Sequence, residues 1–124
     1  MVSTNKVAIV TASDSGIGKQ CALVLAKQGF DIGITWHSDE EGAKATAREV
    51  EALGRRAEHV HLDLGHLPEG AEAITTLIDR FGRIDALVNN AGAMSKAPFL
   101  EVEFKDWRAV FTVDVDGAFL CSQI

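Results

Sequence analysis

Val7-Ala8-Ile9-Val10 followed by Thr11-Ala12-Ser13-Asp14-Ser15-Gly16-Ile17-Gly18 is the stretch that decides the fold. Four consecutive apolar residues suit a strand buried on both faces. The residues after them are mostly small or hydroxyl-bearing and include two glycines, the composition of a tight turn. Beyond the turn, Ile17, Cys21, Val24 and Leu25 stand at i, i+4, i+7 and i+8. That spacing predicts one buried face of a helix, with Gly29 as its stop. A strand, a glycine turn and a helix start bring unpaired N–H groups and a favourable dipole to a place a ligand can approach closely. Such a place suits a pyrophosphate. A Gly/Ser-rich turn without a ligand is the alternative reading of these residues taken alone. A P-loop is not, because Gly18-Lys19 is followed by Gln20 instead of Ser or Thr, and no glycine precedes at the required spacing.

The rest of the chain repeats the alternation. Phe30 to Trp36 reads as a second strand. Ser38 and Glu41 form an S-x-x-E capping box, predicting a helix from about Asp39 with Ala43, Ala47 and Val50 inward and Gly54 at its end. Ala57 to Leu64 reads as a third strand. His59 and His61 fall on one face and Val60 and Leu62 on the other, so it is expected at an edge. Pro68 suits the first position of a third helix with the stripe Ala71, Ile74, Ile78, Phe81 and the stop Gly82. Ile84 to Val88 is a fourth strand. A loop over 91–103 leads into a long helix from about Phe104, with Phe104, Trp107, Phe111, Val115 and Ala118 on one stripe. Alternating elements with short links predict an α/β fold: a Rossmann-type doubly wound parallel sheet, strand order 3-2-1-4, with helices on both faces.

Composition narrows the function. The 124 residues make one domain, 47% apolar and 24% charged, with a formal charge of −6. That charge gives no reason to expect nucleic acid as a partner. No apolar stretch approaches the roughly 18 residues of a membrane span. The N-terminal apolar run is too short for a signal peptide. Cys21 and Cys121 fall on apolar stripes and are read as reduced packing residues of a cytoplasmic protein. His59, His61 and His66 have no partner cysteines at metal-site spacing, so no metal is expected. Phe104, Trp107 and Phe111 are read as core or subunit interface, not as a ligand pocket.

Three segments together resemble the short-chain dehydrogenase/reductase family, and the likeness covers nearly the whole chain. Thr11 to Gly18 is similar to the family turn T-G-x-x-x-G-x-G, with Ala12 where the family has its first glycine. The resemblance assigns Ala12, Ser13, Asp14, Ser15, Gly16, Ile17 and Gly18 to cofactor binding. If position 12 takes negative φ, alanine fits freely. If it takes positive φ, alanine costs about 1–2 kcal/mol. Asp63-Leu64 stands where the family carries an acidic residue that contacts adenine. Asn89-Asn90-Ala91-Gly92 matches the family's NNAG, which supports the sheet and the nicotinamide ribose, so Asn90, Ala91 and Gly92 join the set. In Phe111 to Gly117 the family pattern is Asn-x-x-Gly, and Asp114 replaces the asparagine that holds a water-linked proton path to the catalytic lysine. Val113 beside it is assigned to the cofactor. Ionised Asp accepts a hydrogen bond but donates none. Asp114 lies between Phe111 and Ala118 on the apolar stripe, so it is expected to line the site as the candidate catalytic residue, a surface aspartate being the alternative.

The end of the second strand bears on cofactor choice, since an acid there binds the ribose 2′-OH and a base suits a 2′-phosphate. Here His37 and Ser38 precede Asp39, which favours NADP over NAD. The resemblance implies hydride transfer between the nicotinamide and a small carbonyl or alcohol substrate. Tyr-x-x-x-Lys and Ser carry the proton chemistry, and all lie beyond NNAG in the family. The sequence contains no tyrosine. The expectation is the N-terminal, dinucleotide-binding part of such an enzyme, binding cofactor weakly or not at all by itself and not turning over. The full-length protein is expected to be a homo-oligomer, because in the family the long helix packs on its counterpart. A non-catalytic nucleotide-binding or interaction module is the rival, and the uncapped final helix speaks against it. An FMN module is disfavoured by NNAG.

Overall fold

A computed structural model describes residues 2–124. Strand β1 (Val7–Val10) leads through the glycine turn into helix α1 (Gly16–Lys27). Strand β2 (Asp31–Trp36), helix α2 (Glu40–Ala52) and strand β3 (Ala57–His61) follow. Helix α3 (Glu72–Phe81) precedes strand β4 (Ala86–Val88). A helical stretch then runs through α4 (Phe104–Phe111), a π-helical segment over Thr112–Gly117, and α5 (Ala118–Gln123). All strand pairs are parallel, in the order β3-β2-β1-β4 predicted from the alternation. β3 lies at one edge, as its half-polar pattern implied. No described helix is long and apolar enough to cross a membrane.

Alternate residues of β1 serve the two faces of the sheet. Val7 and Ile9 pack with Ile74, Leu77 and Phe81 of α3 and with Cys121 of α5. Ala8 and Val10 pack with Ala22 and Ala26 of α1 and with Ala43, Ala47 and Val50 of α2. β1 is thus buried on both sides, which is why it reads as an unbroken apolar run.

Four local expectations are corrected, and of the two readings of the last helical stretch, core or subunit interface, its aromatic row is not core. In α1 the buried residues are Gly18, Ala22 and Ala26, while Ile17 is 77% exposed. Small residues let the helix sit close to the sheet. The larger Ile17, Cys21, Val24 and Leu25 line an open groove of about 780 Å³ beside Val88. The cap of α2 is Asp39, not Ser38: its carboxylate accepts from the Gly42 N–H at 2.9 Å. Pro68 precedes a single 3₁₀ turn over Glu69–Ala71, and the α-helix proper begins at Glu72. Leu77, absent from the predicted stripe of α3, is fully buried, whereas Ile78 only packs at the rim. Along the last helical stretch Phe104, Trp107, Phe111 and Val115 face outward, and Gly117 and Cys121 face in. The stripe keeps to one face as far as Val115, and that face is the outward one; beyond it the π segment over Thr112–Gly117 brings Gly117 and Cys121 to the core.

β4 is shorter than the sequence suggests because a side chain replaces backbone at its start. The Val7 N–H donates to Asp85 Oδ2 at 2.8 Å, and Asp85 N–H donates to the Val7 carbonyl at 2.8 Å. Arg83 binds the same carboxylate with two N–H groups, at 2.9 and 2.7 Å. The Arg83 hydrogen bond, and after it the Val7 N–H, hold the Asp85 carboxyl below its ordinary value, and Asp85 in return raises Arg83. A carboxyl lowered by folding contributes stability above its unfolded value and loses it as pH falls through the folded value. Asp85→Asn is therefore expected to flatten the acid limb of stability. Urea midpoints recorded from pH 7 to pH 2 should fall less steeply in the variant below about pH 4, the ordinary carboxylate range. Identical acid limbs in the two proteins would show that Asp85 does not couple to folding.

Candidate cofactor site

In an open parallel sheet a ligand sits at the carboxyl ends of the strands, where the strand order reverses. Here that point lies between β1 and β4, and the two loops that leave it are fastened together by side chains. Thr11, 1% exposed, accepts at its Oγ1 from the N–H groups of Asn90 (2.9 Å) and Ala91 (2.8 Å). The Asn90 amide answers by donating to the carbonyls of Thr11 and Ala12, both at 3.2 Å. A Cβ on Gly18 would overlap the Ala12 carbonyl and the Asn90 amide, so only glycine lets α1 begin this close to the loop.

The other side of the turn is tied to β2 and α2. Ala12 N–H donates to Thr35 Oγ1 at 2.9 Å and Ser13 N–H to the Thr35 carbonyl at 3.1 Å. Ser13 is wholly buried, its hydroxyl bonded to the Val10 carbonyl at 2.7 Å, and Thr46 Oγ1 donates to the Ser13 carbonyl at 2.9 Å. Thr35 and Thr46 escaped the sequence reading. Their signal was present as two threonines on otherwise apolar buried faces, since a buried hydroxyl needs a partner. Their partner is the turn, 23 and 33 residues away in the chain.

A cleft of about 210 Å³ opens between the turn and the loop. Seven of the predicted cofactor residues line it: Ala12, His37, Asp63, Leu64, Ala91, Gly92 and Val113. Asn90 stands behind the wall as its brace. Ser15 and Gly16 are exposed at the start of α1, where Ser15 makes no side-chain cap bond. Asp14 is half-buried beside them. Ser13 is placed in the turn, but its side chain is spent on Val10. Ile17 points away into the apolar groove, and Ser38 is exposed outside the lining. Asp114 is exposed and not sunk in the stripe. Its Oδ1 accepts from the Ala93 N–H at 2.8 Å, which fixes the loop just past Gly92.

The chain belongs to the short-chain dehydrogenase family: the family profile, described as short chain dehydrogenase, matches residues 6–124. A curated Escherichia coli K12 relative, described as uncharacterized oxidoreductase YohF, is 76% identical over 119 residues, covering 96% of this chain and 47% of its own. The crystal structure of acetoin dehydrogenase YohF from Salmonella typhimurium superposes with a TM-score of 0.93 at 68% identity, covering 97% of this chain and 47% of that one. A short chain dehydrogenase from Burkholderia cenocepacia J2315, solved in complex with NADP, superposes with a TM-score of 0.91 at 35% identity, covering 95% and 48%. The chain spans about half the length of these relatives.

Ala12 has φ +53°, the left-handed region that glycine adopts freely and alanine only at a cost. Ala12→Gly should raise stability by about 1 kcal/mol, the relief of left-handed strain less the extra freedom glycine has when unfolded. Chemical denaturation of the two proteins measures it. An unchanged or lower midpoint would mean that the alanine methyl makes contacts that offset its strain.

Proposed function

We propose that residues 1–124 are the cofactor-holding part of an NADP(H)-dependent oxidoreductase acting on a carbonyl/alcohol pair. The observation that carries this reading is one cleft at the switch point, walled by the β1–α1 turn and the 91–93 loop, with His37 and Asp63 at its far side. The residues fit a dinucleotide. The first-turn N–H groups of α1 meet no Ser15 side chain, and the place of a Cβ on Gly16 is open space. The nicotinamide, when bound, supplies or takes up the hydride.

The chain's own part is binding and orientation. The backbone from Ala12 to Gly18 offers N–H groups to phosphate. His37 and Ser38 stand after β2, where a ribose 2′ substituent is read. Asp63 and Leu64 flank the adenine position, and Ala91, Gly92 and Val113 shape the wall toward the nicotinamide ribose. Asp114 keeps that wall in place through Ala93, so we assign it a positioning role in place of direct catalysis. In the family's chemistry a tyrosine moves the proton, and this sequence has none. The chain by itself is therefore proposed to hold cofactor weakly without turnover. NADP over NAD is supported by His37 and by the NADP complex of the Burkholderia relative. The outward row Phe104, Trp107, Phe111 is proposed as the subunit contact. Acetoin, the substrate named for the Salmonella relative, is the first carbonyl/alcohol pair to try.

Titration of NADPH and of NADH into the chain, followed by amide chemical shifts, tests the cofactor assignment. Shifts should cluster on residues 12–18, 37–38, 63–64 and 90–92. NADPH should bind about tenfold more tightly, the worth of a charge-assisted hydrogen bond or two, and His37→Asp should remove that preference. Equal or tighter binding of NADH would overturn the preference. Shifts confined to other surfaces would overturn the site.

A further inference from the structure

The two edges of the sheet are finished differently. At the β3 edge, Arg80 Nη1 donates to the His59 carbonyl at 3.5 Å and pairs with Glu58 Oε1 at 3.5 Å. Glu58 also meets Arg56 Nε at 3.6 Å, and Lys44, Arg48 and His59 line the hollow along that strand. Charged side chains on an edge guard it against pairing with another chain. β4, at the opposite edge, has no such guard. Among the described residues it pairs with β1 alone, and its ladder residues are Ala86, Leu87 and Val88. The charges that precede it are committed inward. Asp85 accepts from the Val7 N–H, and Arg83 spends two N–H groups on Asp85.

The unguarded edge runs into the apolar groove. Val88 lines it from the strand, and Ile17, Gln20, Cys21, Val24 and Leu25 line it from α1, with no charged side chain among them. Ile17 and Val24 are 77% and 51% exposed. An uncharged groove gives no hold to an acidic, basic or phosphorylated partner. It matches best a surface of its own character that also carries an unpaired strand. A second copy supplies both, with a strand of equal length. The direction of the side chains limits how two copies can meet. Ala86 and Val88 sit on the α1 side of the sheet and Leu87 on the α3 side. A two-fold axis in the plane of the sheet would put the two α1 helices on opposite faces, and groove would not meet groove. An axis perpendicular to the sheet keeps both helices on one face and sets the two edge strands antiparallel.

We propose that the β4 edge and the α1 groove form one docking surface, and that its occupant is a second copy of this chain related by a two-fold axis perpendicular to the sheet. The two four-stranded sheets then run on as one. Ile17, Val24 and Leu25 of each copy close over the groove of the other, so that like surface covers like, as a two-fold contact requires. The two clefts lie at the carboxyl ends of strands that now run in opposite directions, so they point to opposite ends of the joined sheet and both stay open. The contact is separate from the outward row Phe104, Trp107 and Phe111 of the last helical stretch. One open groove and three ladder residues on each side place it at the weak end of protein interfaces, with an expected dissociation constant of about 1–100 μM.

Analytical ultracentrifugation of the whole 124-residue chain from micromolar to millimolar concentration tests the proposal. A monomer–dimer equilibrium is expected. Val24→Lys and Ile17→Glu each bring two like charges into the contact, one from each copy, and should raise the dissociation constant at least about tenfold. Both positions are exposed, so the variants should keep the fold, which circular dichroism checks. Trp107→Glu should leave the dimer unchanged. Amide chemical shifts of the parent that move with protein concentration should fall on α1 and on residues 84–88. A monomer throughout the concentration range overturns the proposal, including a monomer that takes up the unmatched half of the Escherichia coli relative in place of a second copy. A dimer that persists in both groove variants also overturns it. So does a dimer that Trp107→Glu dissolves and whose concentration-dependent shifts lie on residues 104–119.

Discussion

The hydroxyl of Thr11 takes two backbone N–H groups from the loop after β4, and nearly everything at the switch point depends on that contact. β4 carries only three ladder residues, too few to orient a loop by themselves. The buried threonine and the returning Asn90 amide supply what the short ladder does not. Losing one partner of such a bond leaves a buried polar group unpaired, which costs about 1–3 kcal/mol, against a net worth of about 1 for the bond itself. The loop holds its shape because departure leaves several groups unpaired at once. The same bonds join the Ala12 turn to the loop carrying Ala91 and Gly92, residues that line the cleft.

Much of this was legible in the sequence, for reasons that differ between elements. The buried parallel strand β1 announces itself as an unbroken apolar run, and the alternation of elements leaves few topologies open. The turn and NNAG segments were legible through family likeness, and the structure places Ala12, Asp63, Ala91, Gly92 and Val113 on one cleft. The inward face of α1 was not legible. Apolar periodicity marks which side chains share a face but not which face the sheet receives, and here a stripe of Gly18, Ala22 and Ala26 was preferred for close approach. The strain at Ala12 was also invisible, because a positive φ leaves no mark on an alanine. Thr35 and Thr46 act on partners distant in the chain, and no local pattern encodes that.

The last helical stretch shows how a change in backbone period moves chemistry from one face to another. An α-helical count puts Asp114 in line with Phe111 and Ala118. The π segment over Thr112–Gly117 instead turns the carboxylate toward the loop after Gly92 and brings Gly117 against Leu64, where a Cβ would meet the leucine side chain at 2.9 Å. π segments are rare and frequently found at functional sites. Here the segment lets one helix serve the core through Gly117 and Cys121, the cleft wall through Val113, and the loop through Asp114.

The dependence of the switch point on the Thr11–Asn90 lock is tested most directly by a double-mutant cycle. Thr11→Val, Asn90→Ala and the double variant would be compared with the parent by chemical denaturation. Because each side chain bonds the other residue's backbone behind the cleft wall and both hold the same loop, their effects should be coupled by about 1 kcal/mol or more, the double variant losing less than the sum of the single losses. Effects that add to within about 0.3–0.5 kcal/mol, the behaviour of independent sites, would contradict the lock.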